Sequence, residues 1–167
     1  RSSAASDVYK RQVLVIKNTK LEEEYKEGKY QPLSVVQAVE ICKDIVRIFA
    51  DKNIDIIRIG LQNTEEISDP KNEGSEVVAG PYHPAFRQLV ESAMWYDAIV
   101  GKIKKLNAKV KEVEVSVNPI DSNNVIGHKK ENVIKLKNTY DVDLILKQDK
   151  TIKQGKSRIN ITKTYDN

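Results

Sequence analysis

The residues able to do chemistry are few. His83 and His128 lie 45 positions apart, and Cys42 is the single cysteine. No pair of histidines stands at metal-ligand spacing, and no Cys-Xaa-Xaa-Cys, nucleophile elbow or phosphate loop occurs. Cys42 falls among apolar residues at helical spacing, where a lone thiol serves as core. His83, between Tyr82 and Pro84, stands where a helix starts and reads either as a cap or as a functional group. Two glycine-containing stretches remain. Gly60, with Leu61 and Gln62, ends an apolar run. Glycine there either eases a turn or lets a ligand approach the backbone. Gly127, His128, Lys129 and Lys130 precede a helix, where backbone N–H groups favour an anion. The bland alternative is a turn with a surface lysine pair.

The elements that carry these stretches follow from periodicity. Residues 54–62 (IDIIRIGLQ) form a short apolar run broken by Asp55 and Arg58, the pattern of a strand buried on both faces of a parallel sheet. A second apolar strand is expected over 13–17. Between them Ser34 and Gln37 form a capping box, followed by a helix to about Lys52 with Ala38, Ile41, Cys42, Ile45, Ile48 and Phe49 inward. Strand, helix and strand make one βαβ unit, too little sheet to stand alone. Residues 63–80 read as a loop. A helix follows, from about Pro84 to Leu106, with Phe86, Val90, Ile99 and Ile103 on its apolar face. Strict alternation over 112–118 marks a strand, 119–124 a turn, 129–140 a helix, and 142–147 and 158–164 two more strands. The second half is therefore a small α+β unit with a mostly antiparallel sheet.

Charge separates the halves. Residues 13–100 hold 10 Lys and Arg against 15 Asp and Glu, a net −5. Residues 101–167 hold 15 against 8, a net +7. A basic half suits a polyanion such as RNA, or is a solvated lysine-rich surface. One cysteine excludes a disulfide framework, and no apolar stretch approaches the ~20 residues of a membrane span, so a cytoplasmic protein without a membrane partner is expected.

Residues 1–12 (RSSAASDVYKRQ) back-translate, from Ser2 onward, to a nucleotide string that resembles a transposase-type sequencing adapter read in frame. They are set aside as an adapter-like artefact, the alternative being a disordered polar tail. The protein proper is then expected to begin near Val13, without its N-terminal side.

Residues 13–34 (VLVIKNTKLEEEYKEGKYQPLS), 54–62 and 80–92 (GPYHPAFRQLVES) resemble the C-terminal side of bacterial radical S-adenosylmethionine proteins, in particular those akin to the catalytic subunit of Elongator. The resemblance implies an α/β fold, the last two βα segments of a truncated (βα)6 barrel over 13–80, followed by a C-terminal α+β domain over 81–167. It also implies a 4Fe–4S cluster that cleaves S-adenosylmethionine to a 5′-deoxyadenosyl radical, with tRNA a candidate substrate. The family's cluster cysteines are absent from this chain, so the fragment is expected to be inactive and to need the missing N-terminal barrel. Lys17, Gly60, Leu61 and Gln62, at the carboxyl ends of the two strands, are then the expected S-adenosylmethionine contacts. Residues 125–149 resemble a KH motif, which clamps single-stranded RNA with a Gly-Xaa-Xaa-Gly loop. Here the loop is Gly127, His128, Lys129 and Lys130, with lysine replacing the second glycine. The competing reading is a non-catalytic KH-like RNA-binding module.

Overall fold

A computed structural model describes residues 14–106 and 109–165. The adapter-like residues 1–12 and Val13 lie outside the described residues. The chain divides into two compact units. One combines the chain up to Ala38 with Arg58–Phe86, and the other combines Val39–Ile57 with the chain from Arg87 onward.

In the first unit, β1 (Val15–Ile16) is followed by α1 (Lys20–Lys26) and, much later, by β2 (Val77–Ala79). Thr19 caps α1 by accepting from Glu22 N–H at 3.3 Å, and the Glu22 carboxylate reaches back to Asn18 N–H at 2.7 Å. The Lys26 ammonium, with that Asn18 bond, holds the Glu22 carboxyl below its usual range. β1 and β2 pair antiparallel, Val15 with Ala79 and Ile16 with Val77. This departs from the expected parallel pairing of 13–17 with 54–62. Residues 54–62 form no strand, and Ile57 is 94% exposed. The physical reason is the ladder. An extended segment is stable only when a neighbour takes its N–H and C=O groups, and among the described residues β1 gives its edge to β2 instead. The stretch 63–80, expected as a structureless loop, supplies that partner. Its bend is closed by Glu76 N–H to Glu66 C=O at 2.8 Å and by Ser75 Oγ to Ser68 C=O at 3.1 Å.

Helix α2 (Val35–Asp51) begins with the expected capping box. Gln37 N–H donates to Ser34 Oγ at 3.2 Å, and Ser34 N–H donates to Gln37 Oε1 at 2.9 Å. Its inward face follows the expectation in part, with Ala38 buried and Cys42, Ile45 and Phe49 half-buried. Val39 and Lys43 are buried, whereas Ile41 is 45% and Ile48 55% exposed. Gln37, Glu40, Asp44, Arg47 and Asp51 form the exposed polar stripe that helical spacing marks, but the apolar remainder is wider than the face that is buried, and Ile41 and Ile48 stay outside it.

The second unit packs helices on one face of a three-stranded sheet. Helix α3 (Phe86–Lys104) precedes the central strand β3 (Val110–Val117). A 3-10 turn (Pro119–Asp121), the short helix α4 (Ser122–Ile126), a turn (His128–Lys130) and α5 (Glu131–Tyr140) lead to β4 (Asp143–Gln148), and β5 (Ser157–Thr164) ends the fold. The order is β4-β3-β5, β4 parallel and β5 antiparallel to β3. The sheet is thus half parallel rather than mostly antiparallel, because α4 and α5 form a crossover that returns the chain to the start of the sheet. Alternation in β3 sends Val113, Val115 and Val117 into a core with Ile99, Val125, Leu136 and Val142. Ile159 and Ile161 pack against it, as the alternation of the last strand requires. Where a turn was expected over 119–124, Asn118 accepts from Ile120 N–H and starts the 3-10 turn that leads into α4.

Candidate functional site

The turn between α4 and α5 gathers the basic residues singled out from sequence. Gly127 has φ +83° and ψ 163°, a conformation reserved for glycine, and its N–H closes α4 on Asn123 C=O at 2.9 Å. Lys129 (φ 49°) and Lys130 (φ 63°) both adopt the left-handed region, uncommon for two successive lysines. Lys130 thus takes a conformation that a glycine would favour. It is also the N-cap of α5 and provides no side-chain cap. The exposed ammonium groups of Lys129 and Lys130 stand at the positive end of the helix dipole, where an anion is favoured and a cation is not. Beside them lies a shallow, open depression of about 430 Å³ lined by His128, Lys129, Glu131, Ile134 and Lys135. Lys135 is neutralised by Glu131 at 2.5 Å.

The turn is held from behind by a residue that periodicity did not single out. Asn132, buried in the first turn of α5, donates from Nδ2 to Ser92 C=O at 2.8 Å and to Val125 C=O at 3.1 Å. It thereby joins α3, the end of α4 and the start of α5. Asn124 adds a bond to Glu91 at 2.7 Å. The available signal was an asparagine at i−4 from Leu136, a polar residue on the buried stripe of α5.

The expected S-adenosylmethionine contacts all fall in the first unit. Lys17 follows β1; its N–H donates to Glu76 C=O at 2.8 Å and its Nζ to Ser75 C=O at 2.5 Å. Gly60 has φ +88°, and an added Cβ would meet Phe86 Cβ at 3.0 Å, so packing against Phe86 already requires a glycine. Leu61 is exposed, and Gln62 accepts from the Arg58 guanidinium at 2.9 Å. Among the described residues no hydrogen bond or ion pair links Lys17 to residues 60–62. His83 acts as a cap, its Nδ1 accepting from Ala85 N–H at 3.1 Å. An iron–sulfur cluster needs several thiolates. Cys42 is the single cysteine of the sequence, and no group of three or more His, Cys, Asp or Glu among the described residues can hold a metal ion. These residues do not fit a 4Fe–4S cluster. Nor is any described helix long and apolar enough to cross a membrane.

No curated protein and no solved structure matches the chain. Residues 12–96 match the family described as the Radical_SAM C-terminal domain. That match takes in β1, α1, α2, β2 and most of α3, half of the sequence, and the chain belongs to the Radical_SAM C-terminal domain family.

Proposed function

We propose that this chain is the C-terminal portion of a radical S-adenosylmethionine enzyme of the Elongator-like type, acting on tRNA, with a KH-like RNA-binding region in its second half. The observation that carries the enzyme reading is the family match over residues 12–96. Such enzymes use S-adenosylmethionine and a 4Fe–4S cluster, both of which belong to the intact protein. The exposed apolar segment 54–62 supports a barrel whose other strands would cover it, since Ile54, Ile57 and Leu61 all face outward. Lys17, Gly60, Leu61 and Gln62 remain the candidate contacts to the adenosyl group in that assembly. The RNA reading draws support from the β3-α4-turn-α5-β4 order, from the left-handed lysine pair at the start of α5 and from the +7 charge of residues 101–167.

The enzyme reading is tested by the reading frame upstream of Val13. It should encode three cysteines as Cys-Xaa(3 or more)-Cys-Xaa-Xaa-Cys, and an intact frame without them would sink the assignment. The RNA reading is tested by Lys129→Glu/Lys130→Glu. Affinity of the chain for single-stranded RNA should fall at least tenfold at low salt, with the salt slope reduced by about 1 for each phosphate no longer engaged. A folded double variant with unchanged affinity and slope would reduce the loop to a plain turn.

A further inference from the structure

The sheet of the second unit ends on two strands, β4 and β5, because β3 lies between them. An edge strand presents a row of backbone groups on which another strand can pair. For β4 the direction of those groups follows from its neighbour. Asp149, the residue after the strand, donates its N–H to Val117 C=O at 2.8 Å, toward β3. Alternation then turns the N–H and C=O of Asp143, Ile145 and Lys147 toward β3, and those of Leu144 and Leu146 outward. Among the described residues nothing takes these outward groups. The side chains divide differently. Leu144 and Leu146 pack against the core, which leaves Asp143, Ile145 and Lys147 on the opposite face of the sheet. Ile145 is 38% exposed, and Asp143 and Lys147 are exposed as well.

Residues 143–147 (DLILK) are complementary to themselves. A second copy laid antiparallel, with a two-fold axis at Ile145, sets Leu144 opposite Leu146 of the copy. These are the residues whose backbone groups point outward, so they exchange both hydrogen bonds on each side of the axis. Ile145 then faces Ile145 of the copy, and Asp143 faces Lys147, twice by symmetry. Both pairings fall at non-hydrogen-bonded positions, where side chains approach most closely. The neighbouring registers that keep the hydrogen bonds lose this match. A shift one way sets Ile145 against Asp143; the other way sets it against Lys147, and Asp143 against Asp149. The present partners leave the pairs available, since Lys137 bridges both Asp143 and Asp141 and keeps the second if the first turns away. The other edge has no such match. β5 carries Arg158 and Lys163 and no acidic residue.

We infer that β4 is a self-association edge, at which two copies of this chain join antiparallel about Ile145 and merge their sheets into one of six strands. A second copy fits this edge better than a foreign strand, because the charges and the isoleucine that would meet it are all supplied by the edge itself. The inference is independent of both the enzyme and the RNA readings.

The test is sedimentation velocity of the full chain at rising concentration up to about 1 mM, because one short strand edge makes a small interface and a weak dimer. Circular dichroism is the folding control. Wild type should dimerise within that range. Asp143→Lys alone and Lys147→Asp alone each turn both cross-strand pairs into like charges, and each should weaken self-association at least about tenfold. Mixed in equal amounts, the two single variants should associate with each other about as strongly as wild type, since each supplies the charge the other lacks. The double variant Asp143→Lys/Lys147→Asp should also dimerise. A wild-type chain that stays monomeric over the whole range would overturn the inference. So would a mixture of the single variants that associates no better than either alone. A dimer indifferent to both single reversals would overturn it too, and would place the contact on the exposed apolar segment 54–62.

Discussion

Gly127→Ala is expected to destabilise the second unit by about 3 kcal/mol, a large share of the roughly 5–15 kcal/mol that holds a domain folded. Two costs add. An L-residue at φ +83° and ψ 163° is strained by roughly 1–3 kcal/mol. The new Cβ would also stand 3.0 Å from Asn132 N and 3.1 Å from Asn132 Cγ. The first is backbone in the first turn of α5. The second belongs to a side chain pinned by Ser92 and Val125 carbonyls, so neither yields without breaking hydrogen bonds. Gly155→Ala is the built-in control. Its φ is +73° and a Cβ there meets nothing within 4 Å, so it should cost only the left-handed penalty, about 1 kcal/mol. Urea denaturation of both variants at equal m-value separates the terms. Equal destabilisation of the two would show that Asn132 gives way and does not hold the turn.

Legibility followed how local the determining physics was. The capping box of α2 and the valine alternation of β3 depend on contacts a few residues apart or on a single buried face, and both stand where their patterns put them. The lysine turn before α5 was legible for the same reason, since Gly127 announces a break and α5 has its own period. Residues 54–62 illustrate the opposite case. Their apolar content specifies that they be covered, but the cover is a matter of distant strands, and β1 pairs with Val77–Ala79 instead. Ile41 and Ile48 on α2 are the helical counterpart, apolar residues at correct spacing that this chain leaves exposed. What periodicity could at most place on a buried face, without its partners, is the polar infrastructure. Asn132, Asp121 and Lys43 matter through partners 34 to 54 positions away, and a single polar residue in a helix or turn carries no mark of which remote group it meets.

Lys43 gives the second large effect. It is 5% exposed on α2, an amphipathic helix whose other buried residues are Ala38 and Val39. Its Nζ lies 2.8 Å from Asp97 on α3 and 2.7 Å from Glu40, and Arg47 shares the same Asp97 oxygen at 2.5 Å. Burial alone would lower the Lys43 pKa, but the bonds to Asp97 and Glu40 outweigh it and leave the pKa raised. A raised folded pKa means that the ammonium stabilises the fold fully below its ordinary value of 10.5 and stops contributing only as pH climbs through the folded value. The wild-type contribution is therefore complete at neutral pH. Removing one partner of a buried pair typically costs ~3–5 kcal/mol, but Asp97 is partly exposed and keeps Arg47, so Lys43→Ala should cost about 2 kcal/mol. Lys43→Met, which refills the volume, should cost less, about 1 kcal/mol. A double-mutant cycle with Asp97→Asn should return a coupling of at least about 0.5 kcal/mol at pH 7, shrinking as pH is raised above 10.5. A coupling near zero at pH 7 would assign the burial of Lys43 to its aliphatic stem alone, with α2 held against α3 by apolar packing.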